Sequence, residues 1–239
     1  MKRWLRRVVP DHLIHSVAAK LRGRKRRSIT CNICGHSGKP VAFGGPLYPN
    51  TTCRRCGAVS RHRQLWLWYS QQESKLPSPI LHFAAEKAIS THLRAAYPGE
   101  YRTADLFSLT VDVRLNLEQI DLPTASIGTV IANHVLEHVD DAKALREIHR
   151  VLMPGGLLIC SVPIIESWAA TYENPAITSA DDREAHYGQY DHVRMYGRDF
   201  RERVERAGFR LDEEFIASPE ACVELALVRG ESVFIYRRP

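Results

Sequence analysis

Residues Val130–Pro163 read VIANHVLEHVDDAKALREIHRVLMPGGLLICSVP, and the rhythm of this stretch decides the fold class. The apolar run Ile127–Ala132 has the length and composition of a buried strand, and it ends in Asn133-His134-Val135-Leu136-Glu137-His138-Val139. Asp140 or Asp141 can cap a helix whose apolar side is Leu145, Ile148 and Leu152, and Pro154-Gly155-Gly156 stops it. A second strand, Leu157–Val162, follows at once. A strand, a helix and a strand in such short order form a crossover unit, which predicts parallel pairing.

The same alternation extends outward in both directions. Upstream, Ile80–Phe83 reads as a strand and Lys87–Ala96 as a helix with Ile89, Leu93 and Ala96 on one side. Tyr101–Ala104 is a strand ending at Asp105, and a short strand is expected around Val111–Val113, ahead of Asn116. Downstream of a long irregular segment come a helix near Asp199–Ala207, a strand near Arg210–Phe215 and a last strand, Ser232–Arg237. The chain therefore reads as α/β, with a mostly parallel sheet covered on both faces.

The 239 residues divide unevenly in charge. Residues 1–27 hold ten Lys/Arg and one acid, whereas the remainder holds 23 basic and 26 acidic residues. The overall +6 thus sits in a basic N-terminal arm. Such an arm suits the phosphates of nucleic acid or an anionic membrane surface, and equally a solvated tail. No apolar run reaches the length of a transmembrane segment, and the arm lacks the apolar centre of a secretory signal. The expected organisation is the arm (1–27), a small cysteine module (28–60), a helix and linker (61–79) and the α/β domain (80–239).

Cys31-Asn-Ile-Cys34-Gly35 and Cys53-Arg-Arg-Cys56-Gly57 are two CxxC-G knuckles eighteen residues apart. Two residues between cysteines let both thiolates face one ion, and the glycine after each pair lets the chain turn. The spacing resembles a zinc ribbon, with a redox dithiol or a pair of disulfides as competing readings. Four thiolates leave no open position, so a zinc ion here is structural. Arg54, Arg55, Arg61, His62 and Arg63 flank the second knuckle, either as a nucleic-acid surface or as solvated groups. Cys160 and Cys222 lie in apolar segments and read as small core residues. Thiols arranged for metal point to the cytoplasm.

The Val130–Pro163 stretch, and Arg150–Gly156 (RVLMPGG) above all, resembles the central segment of the class I S-adenosylmethionine-dependent methyltransferases of the type 11 group. The resemblance covers roughly Ile80 to Arg238. It implies a Rossmann-like sheet of seven strands, mostly parallel, whose last strand is antiparallel, here preceded by the zinc ribbon. It also implies S-adenosyl-L-methionine as cofactor. The family's glycine-rich first turn falls on His82-Phe83-Ala84-Ala85-Glu86-Lys87-Ala88, which has no glycine. Pairing a zinc ribbon with a first motif of the H-F-A-P-E type is similar to one subset of the family, with Ala85 in place of the proline. By position, His82, Ala84 and Glu86 belong to the first turn. Glu86 can accept from the ribose or the methionyl ammonium, or is simply an acid favoured by the helix dipole. Asp105 is placed to grip the ribose hydroxyls, Asn116 to accept from the adenine amino group, and Asn133 with His134 to line the methionine and sulfonium.

The acceptor is expected over the cofactor, between Pro163 and Gly197. His192 is the candidate base, with Asp191 to orient it or raise its pKa and Tyr190 beside it. Glu137 and His138 can equally be structural groups on the cofactor side. Three functions follow from this reading. One is a methyltransferase acting on a small molecule such as a sugar or lipid-linked saccharide. Another is an RNA or protein methyltransferase that uses the ribbon and arm to hold substrate. The last is a non-catalytic adaptor that lost its cofactor with its glycines.

Overall fold

A computed structural model describes residues 28–41 and 51–239. The basic arm and the Gly/Pro-rich stretch 42–50 lie outside the described residues. The cysteine module contributes the antiparallel pair β1 (Ile29–Thr30) and β2 (Ser37–Gly38), followed by helix α1 (Ser60–Ser70). The α/β domain then runs β3 (Ile80–Phe83), α2 (Lys87–Ala96), β4 (Tyr101–Asp105), β5 (Val113–Arg114), β6 (Ile127–Asn133), α3 (Asp141–Val151) and β7 (Leu152–Ser161). A small excursion holds β8 (Tyr172–Glu173), α4 (Ala180–Tyr187) and β9 (Arg194–Met195). The chain closes with α5 (Phe200–Arg206), β10 (Arg210–Ile216), α6 (Pro219–Glu224) and β11 (Ser232–Arg237).

The seven-stranded sheet has the order β10-β11-β7-β6-β3-β4-β5. Only β11 runs against its neighbours, pairing antiparallel with both β7 and β10. Strand alternation decides which side chains face which layer. Val130 and Ala132, Leu158 and Cys160, and Phe234 and Tyr236 enter one core with Leu145 and Ile148 of α3 and Phe200 and Val204 of α5. Their neighbours Ile131, Leu157, Ile159, Val233 and Ile235 enter the other, with Ile89 and Leu93 of α2. Leu65 and Trp68 of α1, together with Cys31, Ile33 and Cys53, belong to this second core. The ribbon is therefore built onto one face of the sheet.

Two expected boundaries move. Helix α3 ends at Val151, before Pro154-Gly155-Gly156, because Leu152 turns extended and pairs with Ile127 of β6. The short strand lies at Val113–Arg114, since Asp112 is drawn to the Thr103 N–H (2.8 Å) and to Arg94 (2.7 Å).

Candidate functional site

The strand order reverses beside β3, with β4 on one side and β6 on the other. Loops leaving the carboxyl ends of such strands part and form a crevice. Here that crevice is a cleft of about 280 Å3, walled by Phe83 and Ala84 after β3, Asp105 to Phe107 after β4, Leu115 to Leu117, and His134 and Val135 after β6. The two turns that flank it have an uncommon backbone. Ala84 and His134 adopt φ of 46° and 52°, a left-handed conformation that costs a side-chain-bearing residue roughly 1–2 kcal/mol. Their amides are held by Ala104 O (2.9 Å) and Ser161 O (2.8 Å) respectively.

A second cleft, of about 260 Å3, lies next to the first. Its walls come from both modules: Thr51, Val59, Ser60 and Arg61 on the ribbon side, and His134, Glu137, His138, Pro163, Gln189, His192 and Glu231 on the sheet side. His134 and His138 border both clefts.

Comparison with known proteins places this architecture. Residues 88–160 match the family described as "Methyltransferase domain". A protein of Mycolicibacterium smegmatis, described as a probable S-adenosylmethionine-dependent methyltransferase, is 29% identical over 130 residues. That match spans 54% of this chain but only 42% of the relative. The matched segment is thus similar to a methyltransferase domain. Among solved structures, an S-adenosylmethionine-dependent methyltransferase from Mesorhizobium loti superposes with a TM-score of 0.52 at 16% identity, covering 73% of this chain and 98% of that one. The PH0226 protein of Pyrococcus horikoshii gives 0.51 at 16% identity, with 75% and 90% covered. At such identities the likeness is one of fold.

The residues of the first cleft suit the cofactor of this domain. Asp105 is fixed by accepting the N–H groups of Phe107 and Ser108 through Oδ1 (2.7 and 2.8 Å), while Oδ2 takes no partner among the described residues. Asn133, expected to line the methionine, is buried and does not wall the cleft; it accepts from Ser161 Oγ (3.2 Å) and its Nδ2 has no partner. The neighbouring walls are apolar, from Phe83, Leu115, Leu117, Val135 and Val139. A free carboxylate oxygen beside an apolar slot is what the ribose and adenine of an adenosine group require.

Three expected cofactor residues already have protein partners. His82 is fully buried within the sheet, with Nδ1 hydrogen bonded to the Tyr101 hydroxyl (2.8 Å) and Nε2 3.0 Å from Glu86 Oε2. Glu86 stands at the N-cap position of α2 without capping it; its carboxylate turns inward to His82 and to His62 Nε2 of α1 (3.9 Å). Neither His82 nor Glu86 reaches the cleft. Burial alone would raise the Glu86 pKa, but the two imidazoles hold it down, to about 2. Burial likewise lowers His62, to about 4. Asn116 does line the cleft, although its carbonyl oxygen already accepts the Glu118 N–H (2.9 Å).

In the ribbon, the Sγ atoms of Cys31, Cys34, Cys53 and Cys56 lie within 4.8 Å of one another. Cys31–Cys56 and Cys34–Cys53 are 3.8 and 3.6 Å apart, against about 3.8 Å for the edge of a tetrahedral thiolate site. All four thiols are free. Arg63, expected at a basic surface, is instead fully buried. It donates to the carbonyls of Ala58 (2.7 Å), Leu225 (2.8 Å) and Ala226 (3.0 Å).

The expected catalytic group is rearranged. His192 is buried in the second cleft, but its Nδ1 bonds the Tyr187 carbonyl (3.3 Å) and not Asp191. Burial lowers the His192 pKa, opposite to the expected effect of Asp191. Asp191 sits 3.3 Å from His138 Nδ1 instead. Tyr190 is 61% exposed and lines neither cleft. Sequence reasoning gave no role to Arg194. Its guanidinium donates to the Leu136 carbonyl (2.9 Å) and fastens the His192 loop to the Leu136–His138 turn.

Proposed function

We propose that this protein transfers a methyl group from S-adenosylmethionine to a small acceptor such as a sugar or a lipid-linked saccharide. The observation that carries the reading is the pair of adjoining clefts sharing His134 and His138. Bound in the first cleft, the cofactor supplies an electrophilic methyl group on a sulfonium. Asp105 is the residue that would hold the ribose hydroxyls, and the small Ala84 leaves the turn open for close approach. The second cleft orients the acceptor, which is the larger part of catalysis for an in-line displacement. Its polar groups, among them Thr51, Ser60, Gln189 and Glu231, suit a hydroxyl-rich molecule of modest size. For an oxygen acceptor, proton removal falls to the cluster around His192.

The four cysteines hold a structural zinc ion in this reading, and the ribbon's role is to wall the acceptor cleft. Use of the ribbon as a nucleic-acid surface is weakened by the burial of Arg63. Contacts of residues 1–27 with nucleic acid or with an anionic membrane lie outside the described residues. No helix among the described residues is long and apolar enough to cross a membrane; a cytoplasmic setting is part of the proposal.

Calorimetric titration of zinc-loaded protein with S-adenosylmethionine and S-adenosylhomocysteine tests the reading. Micromolar binding is expected, weakened at least tenfold in Asp105→Ala. A folded wild-type protein that binds neither compound would leave the non-catalytic adaptor as the better account.

A further inference from the structure

Glu137 is an unusual residue to bury. Its side chain has no exposure, and neither carboxylate oxygen takes a hydrogen bond. His134 Nδ1 is 3.2 Å from Oε1, off the line of a hydrogen bond. A buried carboxylate normally has hydrogen-bond partners or coordinates a cation. Here the side chains facing it are imidazoles.

We propose that Glu137, His138 and His192 form a binding site for one divalent transition-metal ion, separate from the four-cysteine cluster. Each residue offers one ligand atom, and the three atoms lie within 4.8 Å of one another. They come from chain segments more than fifty residues apart, locked together by the Val193 N–H to the Glu137 carbonyl (2.9 Å) and by Arg194 on the Leu136 carbonyl. The two rings stand nearly perpendicular, at 84°, with centroids 4.7 Å apart. Their other nitrogens are already anchored, His138 Nδ1 on Asp191 (3.3 Å) and His192 Nδ1 on the Tyr187 carbonyl (3.3 Å). That is the supporting arrangement of metal-bound imidazoles, in which an acceptor on one nitrogen fixes the tautomer and leaves Nε2 to ligate.

Two imidazoles and one carboxylate suit a first-row divalent ion such as Fe2+, Zn2+ or Mn2+ better than Ca2+ or a thiophilic ion. Three protein donors leave positions open, and the cluster lines the second cleft. An oxygen of the acceptor would complete the shell there, and the ion would favour loss of its proton to water in the open cleft. This last step rests on the methyltransferase reading. It also replaces His192 acting alone as a base, because a ligating imidazole has no lone pair left for a proton.

The test is a Mn2+ titration followed by electron paramagnetic resonance, on the full chain brought to one zinc per molecule. One equivalent of Mn2+ is expected to bind. Affinity should drop more than tenfold in His138→Ala and in His192→Ala, with zinc content by elemental analysis and cooperative unfolding both retained. Asp191→Asn, acting through His138, should weaken binding by about tenfold. Glu137→Gln should also lose the ion; where that buried change prevents folding, the histidine variants decide. The proposal is overturned if folded wild type takes up neither Mn2+ nor Co2+ beyond the ribbon, or if uptake survives both histidine substitutions. Neither cofactor nor acceptor is present in the titration, so its failure leaves the methyl-transfer reading intact, and failure to bind S-adenosylmethionine leaves the metal result intact.

Discussion

The ribbon and the first cleft both need chain turns in left-handed backbone, and they meet the need with different residues. In the knuckles, Gly35 and Gly57 adopt φ of 70° and 72°, and a methyl group added at either would meet nothing within 4 Å. In the cleft, Ala84 and His134 do the same work with side chains attached. A knuckle is short and depends on its ligands, so it takes the residue with the least strain. The Ala84 turn instead rests on a buried network. Tyr101, His82 and Glu86 brace it from inside the sheet, and Glu86 reaches across to His62 of the ribbon helix. Strain of this kind persists only where the surroundings over-determine the backbone.

The comparison can be broken most forcibly at the four cysteines and the zinc ion proposed for them. Stripping the ribbon with a chelator, or Cys53→Ser, should lower unfolding free energy by more than about 4 kcal/mol, because the cysteines belong to the same core as the sheet. Chemical denaturation with and without chelator measures it. Next in size is the brace. Glu86→Ala leaves the buried His82 Nε2 without its carboxylate and should cost about 1–3 kcal/mol. Calorimetry of the same variant should show weaker S-adenosylmethionine binding through the displaced turn, although Glu86 itself is outside the cleft.

The same brace makes the protein sensitive to acid. His62 has a folded pKa of about 4, below its ordinary value, so the stability gained by burying it neutral is present at pH 7. That stability is lost as pH falls from about 6.5 toward 4, by up to about 3 kcal/mol. Glu86, also lowered, adds a further loss as pH falls below its ordinary value of 4.5 toward 2. Urea midpoints at pH 7, 5.5 and 4 should decline, and His62→Gln should flatten the upper part of that decline. The smallest effect contrasts the two kinds of turn directly. Gly57→Ala should destabilise by about 1–2 kcal/mol, whereas Ala84→Gly should gain at most about 1 kcal/mol and keep cofactor affinity.

Much of the fold is legible in short-range pattern. β3, α2 and β11 begin and end where the apolar pattern places them, because each is bounded by its own residues. Two helices had signals that went unread: Ser179 caps α4 and Gly188 ends it in a left-handed turn, and Ser218-Pro219 opens α6. The site is less legible. Asp105 and Ala84 follow strand ends and can be found by counting. The partners of His82, Glu86 and His192 cannot, since each is set by a residue on another element. His192 beside Glu137 depends on Arg194 finding two carbonyls in a turn more than fifty residues earlier.

Arg63 ties α1 to the carbonyls of Leu225 and Ala226, while Ser60 and Gln64 bond Glu231. These contacts join positions more than 160 residues apart. A chain emerging from the ribosome therefore makes its ribbon helix early and cannot complete its seat until residues 225–231 are synthesised. Full docking of the ribbon waits on that segment, and a product truncated before it leaves the Trp68 face of the ribbon helix incompletely covered, a surface that chaperones and proteases recognise.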